Sequence, residues 1–399
     1  MAQSTRPSLD LVDFDRSPFI VIWELTRACA LACLHCRAEA IPRRDPQEIT
    51  TAEGVRLIDA VARFGRPAPL LVFTGGDPLR RSDVFDLVAA GTERGIRVAL
   101  TPSGTAVARR EKIFRLKAAG LARLAVSLDG STAEIHDAFR GVRGSFEWTM
   151  RILEYAREAE LPIQINTTVT RHNREDLPRL AECLGRMGIV LWSVFFLVPT
   201  GRGRPEDGVS AREYEEVLND LYDLSHVVPF GIKTTEAPHY RRIVQERQRG
   251  LRWDGRRGTE SRVPGTLRVR QRGCPRAEGE QRREFGFQAD GIGRAAKGVN
   301  DGNGFVFIDH VGNIMPSGFL PVSAGNVRTD DLVEVYRHHP MFHELRDPEK
   351  LRGKCGRCEY RALCGGSRAR AYAMTGDYLG EEPCCLYEPN GEYRTRNLE

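Results

Sequence analysis

Short apolar runs alternate with amphipathic stretches between residues 18 and 226. The runs are rich in β-branched residues and predict strands, whereas the stretches carry apolar residues at intervals of three and four and predict helices. The predicted strands are Phe19–Glu24, Leu70–Phe73, Arg97–Thr101, Arg123–Leu128, Ile163–Thr170 and Val190–Val198. The predicted helices are Thr51–Phe64, Ser82–Arg94, Ala106–Ala119, Ser145–Glu158 and Arg174–Met187.

Six β-α units in series predict an α/β fold with a parallel sheet, because parallel strands need crossover helices between them. This arrangement favours a closed or partly closed barrel, and we expect a partial (β/α)6 barrel similar to a TIM barrel. In such a barrel the active site lies at the carboxyl ends of the strands. Functional residues are therefore expected in the loops that follow the strands.

The pattern stops after residue 230. Fourteen arginines and little apolar periodicity between residues 240 and 285 predict a linker or an inserted loop. Gly304–Asp309 and Asn313–Met315 then predict a hairpin, and a cysteine-rich segment extends from Cys355 to Cys385. The chain is thus divided into an N-terminal extension (1–17), a core barrel (18–230), an arginine-rich linker (231–300) and a C-terminal module (301–399).

The composition is that of an ordinary soluble enzyme, with 41% hydrophobic residues and a net charge of +5. This charge indicates neither a nucleic-acid partner nor a membrane partner, and no segment approaches the roughly 18 apolar residues that a membrane helix needs. We expect a cytoplasmic protein. Ten cysteines in such a protein point to metal binding or catalysis, because cytosolic thiols are kept reduced.

Three of the cysteines, Cys29, Cys33 and Cys36, lie together in the sequence TRACALACLHCR directly after the first strand. Iron-sulfur clusters are normally held by four cysteines, so three thiolates leave one iron of a four-iron cluster open to another ligand. The alternatives are a zinc site, which would usually add a paired CxxC or histidines, and buried thiols.

The CxxxCxxC spacing after strand one resembles the signature of the radical S-adenosylmethionine (SAM) superfamily. The resemblance implies that Cys29, Cys33 and Cys36 are the metal ligands and catalytic residues of a [4Fe-4S] cluster that binds SAM. It further implies reductive cleavage of SAM to a 5'-deoxyadenosyl radical, which abstracts hydrogen from a substrate. An electron donor such as flavodoxin or ferredoxin is then a partner. A protein that only transfers electrons or senses redox state is the non-enzymatic alternative.

The turn Thr74-Gly75-Gly76-Asp77-Pro78 follows the second strand and resembles the GGEP motif of this superfamily. The resemblance implies that Gly75, Gly76 and Asp77 receive the amino group of SAM, since glycine lets the main chain approach a ligand closely. Taken alone, the same sequence is typical of a tight connection between a strand and a helix.

Further polar residues follow the fourth and fifth strands. Ser127 and Asp129, together with Arg140 in HDAFRG, are similar to the superfamily's contacts to the ribose and carboxylate of SAM, and Asn166 is a further candidate. A helix cap and a surface arginine are the structural alternatives. Residues 102–104 read Pro-Ser-Gly where many relatives carry Thr-Asn-Gly, which leaves the contact of that asparagine without a counterpart.

The C-terminal cysteines have the spacing CxxC-x5-C followed by a late cysteine, which resembles the SPASM or twitch extension of radical SAM enzymes. The resemblance implies one auxiliary [4Fe-4S] cluster, since Arg368 and Ser317 stand where complete SPASM domains carry further cysteines. Cys384 could replace the last ligand, and a zinc ribbon is the alternative site. The expected ligands are Cys355, Cys358, Cys364 and Cys385.

Two substrate classes remain open. The resemblance extends to heme and heme d1 biosynthetic enzymes, which implies alteration of a tetrapyrrole side chain, and to enzymes that modify ribosomally made peptides by forming a thioether or carbon–carbon bond. Arginines in residues 240–285 and in the late sequence GGSRARAYA favour the tetrapyrrole, because guanidinium groups bind carboxylates in a bidentate manner. Cys274 has no assigned role.

Overall fold

A computed structural model describes residues 12–251 and 298–389, which build one ten-stranded sheet flanked by helices. The strands are β1 Ile20–Glu24, β2 Leu70–Thr74, β3 Val98–Leu100, β4 Arg123–Ser127, β5 Ile163–Val169, β6 Leu191–Phe196, β7 Gly231–Thr235, β8 Phe305–Ile308, β9 Asn313–Met315 and β10 Gly325–Asn326.

Within the described residues, eight helices lie in the barrel portion and four follow the hairpin. They are α1 Thr51–Ala62, α2 Val84–Glu93, α3 Arg110–Ala118, α4 Ala133–Arg140, α5 Ser145–Glu158, α6 Leu177–Leu184, α7 Ala211–Leu224, α8 Tyr240–Gln248, α9 Leu332–His338, α10 Pro340–Arg346, α11 Gly353–Arg357 and α12 Arg368–Thr375. None of these helices has the length and apolar character that crossing a bilayer requires.

The sheet has the strand order β10-β9-β8-β1-β2-β3-β4-β5-β6-β7. Each strand from β1 to β7 pairs in parallel with its neighbour, and β8 adds a further parallel strand beside β1. The predicted α/β class with a parallel sheet is confirmed, and all six predicted strands are present. Among the described residues the sheet stays open, because its order ends at β10 and β7.

The structure extends the parallel sheet beyond the six predicted units. β7 pairs with β6 over five residues, and α8 follows it, so the interval 231–300 begins with a strand and a helix instead of an unpatterned linker. The sequence GIKTT in β7 carries little apolar signal because it forms an edge of the sheet. Residues 252–297, which include Cys274 and the rest of the arginine-rich segment, lie outside the described residues.

The core lies between the sheet and the helices and is centred on large side chains of the first strands. Trp23 in β1 is fully buried and meets Phe73 of β2 edge to face, with ring centroids 5.6 Å apart. Gly54 in α1 makes room for this indole, since a Cβ there would lie 2.5 Å from the Trp23 ring. This packing fixes β1, and with it the start of the cysteine loop.

The predicted hairpin is confirmed as β8 and β9, which pair antiparallel. His310 in its turn lies 3.1 Å from Glu24 at the end of β1, and Arg37 of the cysteine loop lies 2.6 Å from the same carboxylate. Arg37 also stacks over Phe307 of β8 at 4.6 Å. The C-terminal hairpin therefore holds the loop that carries the first cysteines.

Candidate functional site

A cavity of about 200 Å³ lies at or near the carboxyl ends of β2, β4, β5 and β6. Its wall includes all three cysteines of the first motif, Cys29, Cys33 and Cys36. Cys29 and Cys33 are buried and Cys36 is half-buried. The structure therefore brings the three thiols together where the barrel prediction expected the active site.

Each of the three sulfur atoms receives a hydrogen bond from the protein. The Leu31 amide lies 3.3 Å from Cys29 Sγ, the Ala40 amide 3.5 Å from Cys36 Sγ, and the Arg140 guanidinium 3.6 Å from Cys33 Sγ. Such donors stabilise sulfur that carries negative charge. Burial raises the pKa of Cys29, although contacts from Ser103 and Leu31 act in the opposite direction.

The Gly75-Gly76 turn is packed directly against the main chain that leads into the cysteine loop. Gly75 has a φ of +149°, and a Cβ there would lie 2.3 Å from the carbonyl oxygen of Thr26. The Gly76 amide donates to that same oxygen at 2.6 Å. Both glycines line the cavity, and the absence of a side chain lets this cradle pack closely against the cysteine loop.

Arg140, at the end of α4, enters the cavity wall with Asp129 behind it. The two side chains form an ion pair, and the Asp129 carboxylate also accepts a hydrogen bond from the Thr168 amide at 2.8 Å. Burial raises the pKa of Asp129, against the effect of Arg140, while the charge of Asp129 outweighs burial and raises the pKa of Arg140. Arg140 Nε is buried and has no partner among the described residues, which leaves a donor for an anionic group.

Among the seven predicted SAM contacts, five residues line the first cavity and two do not. Gly75, Gly76, Ser127, Arg140 and Asn166 line the cavity together.

Asp77 and Asp129 are fully buried and their side chains do not line this cavity. Asp77 accepts hydrogen bonds from the Leu79 amide at 3.1 Å and from Thr105 at 2.9 Å, so it caps the turn after the glycines. For these two carboxylates the geometry favours a supporting role in place of the expected direct contact.

Ser103 is a cavity residue that the sequence did not single out. Its hydroxyl group lies 3.2 Å from Cys29 Sγ and donates to the Gly76 carbonyl oxygen at 2.7 Å. It therefore joins the cysteine loop to the glycine turn. The position falls within the Pro-Ser-Gly departure after strand three, and that departure was the available signal.

Arg202 is a second cavity residue that the sequence analysis missed. Its main chain is anchored to the cysteine loop, because the Arg202 amide donates to the Cys36 carbonyl oxygen at 3.0 Å. Its Nε and Nη2 atoms are buried and have no hydrogen-bond partner in the described part of the chain. Arg140 and Arg202 both line the cavity and make this corner cationic. Burial, and then the charges of these two arginines, hold the pKa of His35 well below its usual value.

A second, smaller cavity is lined by four thiols of the C-terminal segment together with His239, which follows β7. These thiols are Cys355, Cys358, Cys364 and Cys385. Cys384 does not line this cavity and packs instead against the barrel core. The geometry favours Cys385 over Cys384 as the fourth ligand.

Burial raises the pKa of three thiols of the second cavity, Cys358, Cys364 and Cys385. The pKa of Cys364 rises to about 12. The pKa of His239 is lowered to about 3 by burial, which leaves a neutral imidazole. Metal binding at such a site has to release thiol protons, because the thiolate is the ligand.

Arg370 and Glu382 form a buried ion pair between the two cavities. Arg370 Nη1 lies 2.9 Å from the Glu382 carboxylate, and its Nε donates to the carbonyl oxygen of Leu197, a residue of the first cavity. The Glu382 amide in turn lies 3.3 Å from Cys355 Sγ. This pair fixes the C-terminal segment against the barrel.

Five of the six described arginines that were expected to bind substrate carboxylates have partners within the protein, namely Arg241, Arg242, Arg247, Arg368 and Arg370. Arg370 pairs with Glu382, and Arg368 donates to the Gly380 carbonyl oxygen at 2.6 Å. Arg242 pairs with Glu215 at 2.6 Å. Because Arg242, Arg368 and Arg370 are buried and paired, they do not favour a carboxylate-bearing substrate as the sequence analysis expected.

Both cavities fit iron-sulfur clusters by their donor sets. The first offers three thiols beside a glycine cradle, which leaves one iron for SAM, and the second offers four thiols. Across residues 12–251 and 298–389, no group of three or more His, Cys, Asp or Glu side chains is arranged around a single metal ion. A cluster at the first site would be held by Cys29, Cys33 and Cys36 and would supply one-electron chemistry, while the surrounding residues would bind and orient SAM and substrate.

Comparison with known proteins identifies the family. The radical SAM superfamily model matches residues 23–184. The chain is 41% identical over 379 residues to the AdoMet-dependent heme synthase of Methanosarcina barkeri, which covers 95% of this chain and 99% of that protein. It is 42% identical over 372 residues to the AdoMet-dependent heme synthase of Nitratidesulfovibrio vulgaris, with 93% and 92% covered.

The fold is also shared with solved structures. The structure of Streptococcus suis SuiB bound to S-adenosylmethionine matches with a TM-score of 0.66 at 16% identity, covering 93% of this chain and 78% of that chain. The family model and the two heme synthases confirm the superfamily indicated by the spacing of Cys29, Cys33 and Cys36. With relatives of this identity along nearly its whole length, the chain belongs to the radical SAM superfamily of enzymes.

Proposed function

We propose that this enzyme converts a propionate side chain of an iron tetrapyrrole into a vinyl group during heme formation. The observation that carries the proposal is the identity of 41% and 42% to two AdoMet-dependent heme synthases over at least 93% of the chain. The cationic corner of the first cavity supports it, because Arg202 offers buried donors to a carboxylate.

The chemistry balances as an oxidative decarboxylation in which the side chain loses two electrons, one within the hydrogen atom and one to an acceptor. A hydrogen atom passes from the propionate carbon next to the ring to the 5'-deoxyadenosyl radical and gives 5'-deoxyadenosine. The bond to the carboxylate then breaks, CO₂ leaves, and one electron passes to an oxidised iron-sulfur cluster as the vinyl double bond forms. In this proposal Cys29, Cys33 and Cys36 hold the SAM-binding cluster, and Gly75, Gly76, Ser127, Arg140 and Asn166 bind SAM.

The second cavity is proposed to hold one auxiliary [4Fe-4S] cluster in a module of the SPASM or twitch type. Four thiols line it, and one thiolate can be assigned to each iron. Anaerobic reconstitution should then give about eight irons per chain. About twelve irons would contradict a single auxiliary cluster, and about four irons with bound zinc would assign the cavity to a zinc ribbon.

The test of the reaction is direct. The reconstituted enzyme is mixed anaerobically with dithionite, SAM and iron coproporphyrin III, whose side chains are methyl and propionate groups. We expect 5'-deoxyadenosine, CO₂ and a porphyrin with a vinyl group in place of a propionate. The triple variant Cys29→Ala, Cys33→Ala, Cys36→Ala should form none of these products while the spectrum of the auxiliary cluster remains.

Other outcomes discriminate the alternatives. Formation of 5'-deoxyadenosine with an unchanged porphyrin would reject the tetrapyrrole and favour a peptide substrate. No 5'-deoxyadenosine from a fully loaded protein would leave electron transfer or redox sensing. We propose a cytoplasmic setting with flavodoxin or ferredoxin as reductant, and replacing dithionite by reduced flavodoxin tests that partner.

A further inference from the structure

His239 is buried in the wall of the second cavity without a hydrogen-bond partner. It is 1% exposed, and both Nδ1 and Nε2 lack a partner in the described part of the chain. The cavity that it lines is the one that carries four cysteines. A neutral imidazole has one N–H donor in either tautomer, and buried donors are nearly always paired in native proteins.

The position of the ring is fixed by its neighbours. His239 immediately precedes α8, and its carbonyl oxygen accepts from the Arg242 amide at 3.1 Å. Its ring packs against Tyr214, with centroids 5.7 Å apart. Tyr214 is itself buried under the Arg370 guanidinium at 4.8 Å. This packing restrains the imidazole, so a hydrogen-bond partner for it has to lie within the cavity.

The cysteine sulfurs of this cavity are unequally supplied with donors. The Glu382 amide donates to Cys355 Sγ at 3.3 Å, and the Gly366 amide donates to Cys364 Sγ at 3.4 Å. For Cys385 Sγ we find no hydrogen-bond donor within residues 12–251 and 298–389. A cluster placed among these thiols would thus present sulfur atoms to the wall that His239 occupies.

We propose that His239 donates an N–H hydrogen bond to a sulfur atom of the auxiliary cluster and thereby raises its reduction potential. The inference rests on the proposed cluster in this cavity. A donor fits better than an iron ligand, because the four cysteines already provide one thiolate for each iron. Hydrogen bonds to cluster sulfurs favour the reduced form, which carries more negative charge.

The test measures the midpoint potential of the auxiliary cluster in the full chain. The triple alanine variant of Cys29, Cys33 and Cys36 serves as background, so that the remaining iron-sulfur signal comes from the second cavity. His239→Phe keeps a ring against Tyr214 but removes the N–H group, and His239→Gln restores a donor. We expect a lower potential in His239→Phe, recovery towards the background value in His239→Gln, and unchanged iron content in both.

The possible failures are distinguishable. An unchanged potential in a fully loaded His239→Phe variant overturns the inference. Loss of iron from both variants also overturns it, because His239 would then be a ligand or a packing residue. Strong nitrogen hyperfine coupling in pulsed EPR of the background protein overturns it as well, because the imidazole would then bind iron directly. Absence of iron from the background protein itself, with zinc in its place, rejects the auxiliary cluster instead.

Discussion

Replacing Arg202 by methionine should change protein stability and substrate affinity in different directions. In the protein without ligands, Nε and Nη2 of Arg202 are buried without partners, and each buried unsatisfied donor costs about 1–3 kcal/mol. Methionine keeps an unbranched side chain and removes both donors. We therefore expect the free energy of unfolding of Arg202→Met to equal or exceed that of the wild type.

Substrate affinity should fall in the same variant. If Arg202 binds a propionate carboxylate, its loss removes hydrogen bonds between charged groups, which contribute about 1.5–3 kcal/mol. At about 1.4 kcal/mol for each factor of ten, the dissociation constant of the iron porphyrin should rise about 10- to 150-fold. Arg202→Lys should recover part of this loss, because lysine keeps the charge without the planar fork.

The measurements are anaerobic thermal unfolding for stability and absorbance titration with iron coproporphyrin III for affinity. Arg37→Met is the matched control, since Arg37 lines the same cavity but pairs with buried Glu24. Breaking a buried ion pair typically costs about 3–5 kcal/mol. The free energy of unfolding of Arg37→Met should fall by an amount near the lower end of this range, because His310 still contacts Glu24. Lower stability of Arg202→Met with unchanged porphyrin affinity would refute the reasoning, and weaker SAM binding alone would assign Arg202 to SAM.

Three further results are expected. Cys385→Ser should lose the auxiliary iron and Cys384→Ser should keep it, as read by iron content; the reverse result would exchange the two ligands. Gly76→Ala should weaken SAM binding, because its Cβ would lie 2.5 Å from carbonyl oxygens of the cysteine loop, and normal 5'-deoxyadenosine formation would count against this cradle. Burial lowers the pKa of His310, but the neighbouring Glu24 outweighs burial and raises that pKa above 6.5. Protonated His310 therefore stabilises the folded state fully below about pH 6.5, and this stabilisation is lost as the pH rises through the folded-state pKa. The difference in Tm between wild type and His310→Gln should therefore shrink as the pH rises above about 6.5, and a constant difference would exclude this linkage.

The parallel sheet could be predicted from the sequence because its buried strands have a strong local hydrophobic pattern. Leu70–Phe73 was predicted as the second strand, and β2 differs from it by one residue at its end. β7 escaped prediction because GIKTT mixes polar residues into an edge strand, which buries less apolar surface than a central one. Periodicity thus finds strands that are buried on both faces and misses those at the edge.

The candidate site was predictable where chemistry is encoded in local spacing. Cys29, Cys33 and Cys36 are neighbours in sequence, and their loop brings them together. Ser103 and His239 carry no such signal, because each reaches its cysteines only through the fold, 74 residues from Cys29 in the case of Ser103. The direction of the Asp77 side chain was equally hidden, since a capping carboxylate and a ligand contact have the same sequence signature.

The pairing of β8 with β1 has a consequence for how the enzyme is made. β1 is the first strand of the chain, yet one of its two neighbours in the sheet begins at Phe305, about 280 residues after β1 ends. Pairing between strands so distant in sequence is intrinsically slow, because closing the long intervening loop costs conformational entropy. The first cysteine loop leaves the ribosome early but gains its supports from His310 and from Phe307 only when that segment has been synthesised. Iron insertion into a finished site is therefore expected to follow synthesis of the C-terminal segment.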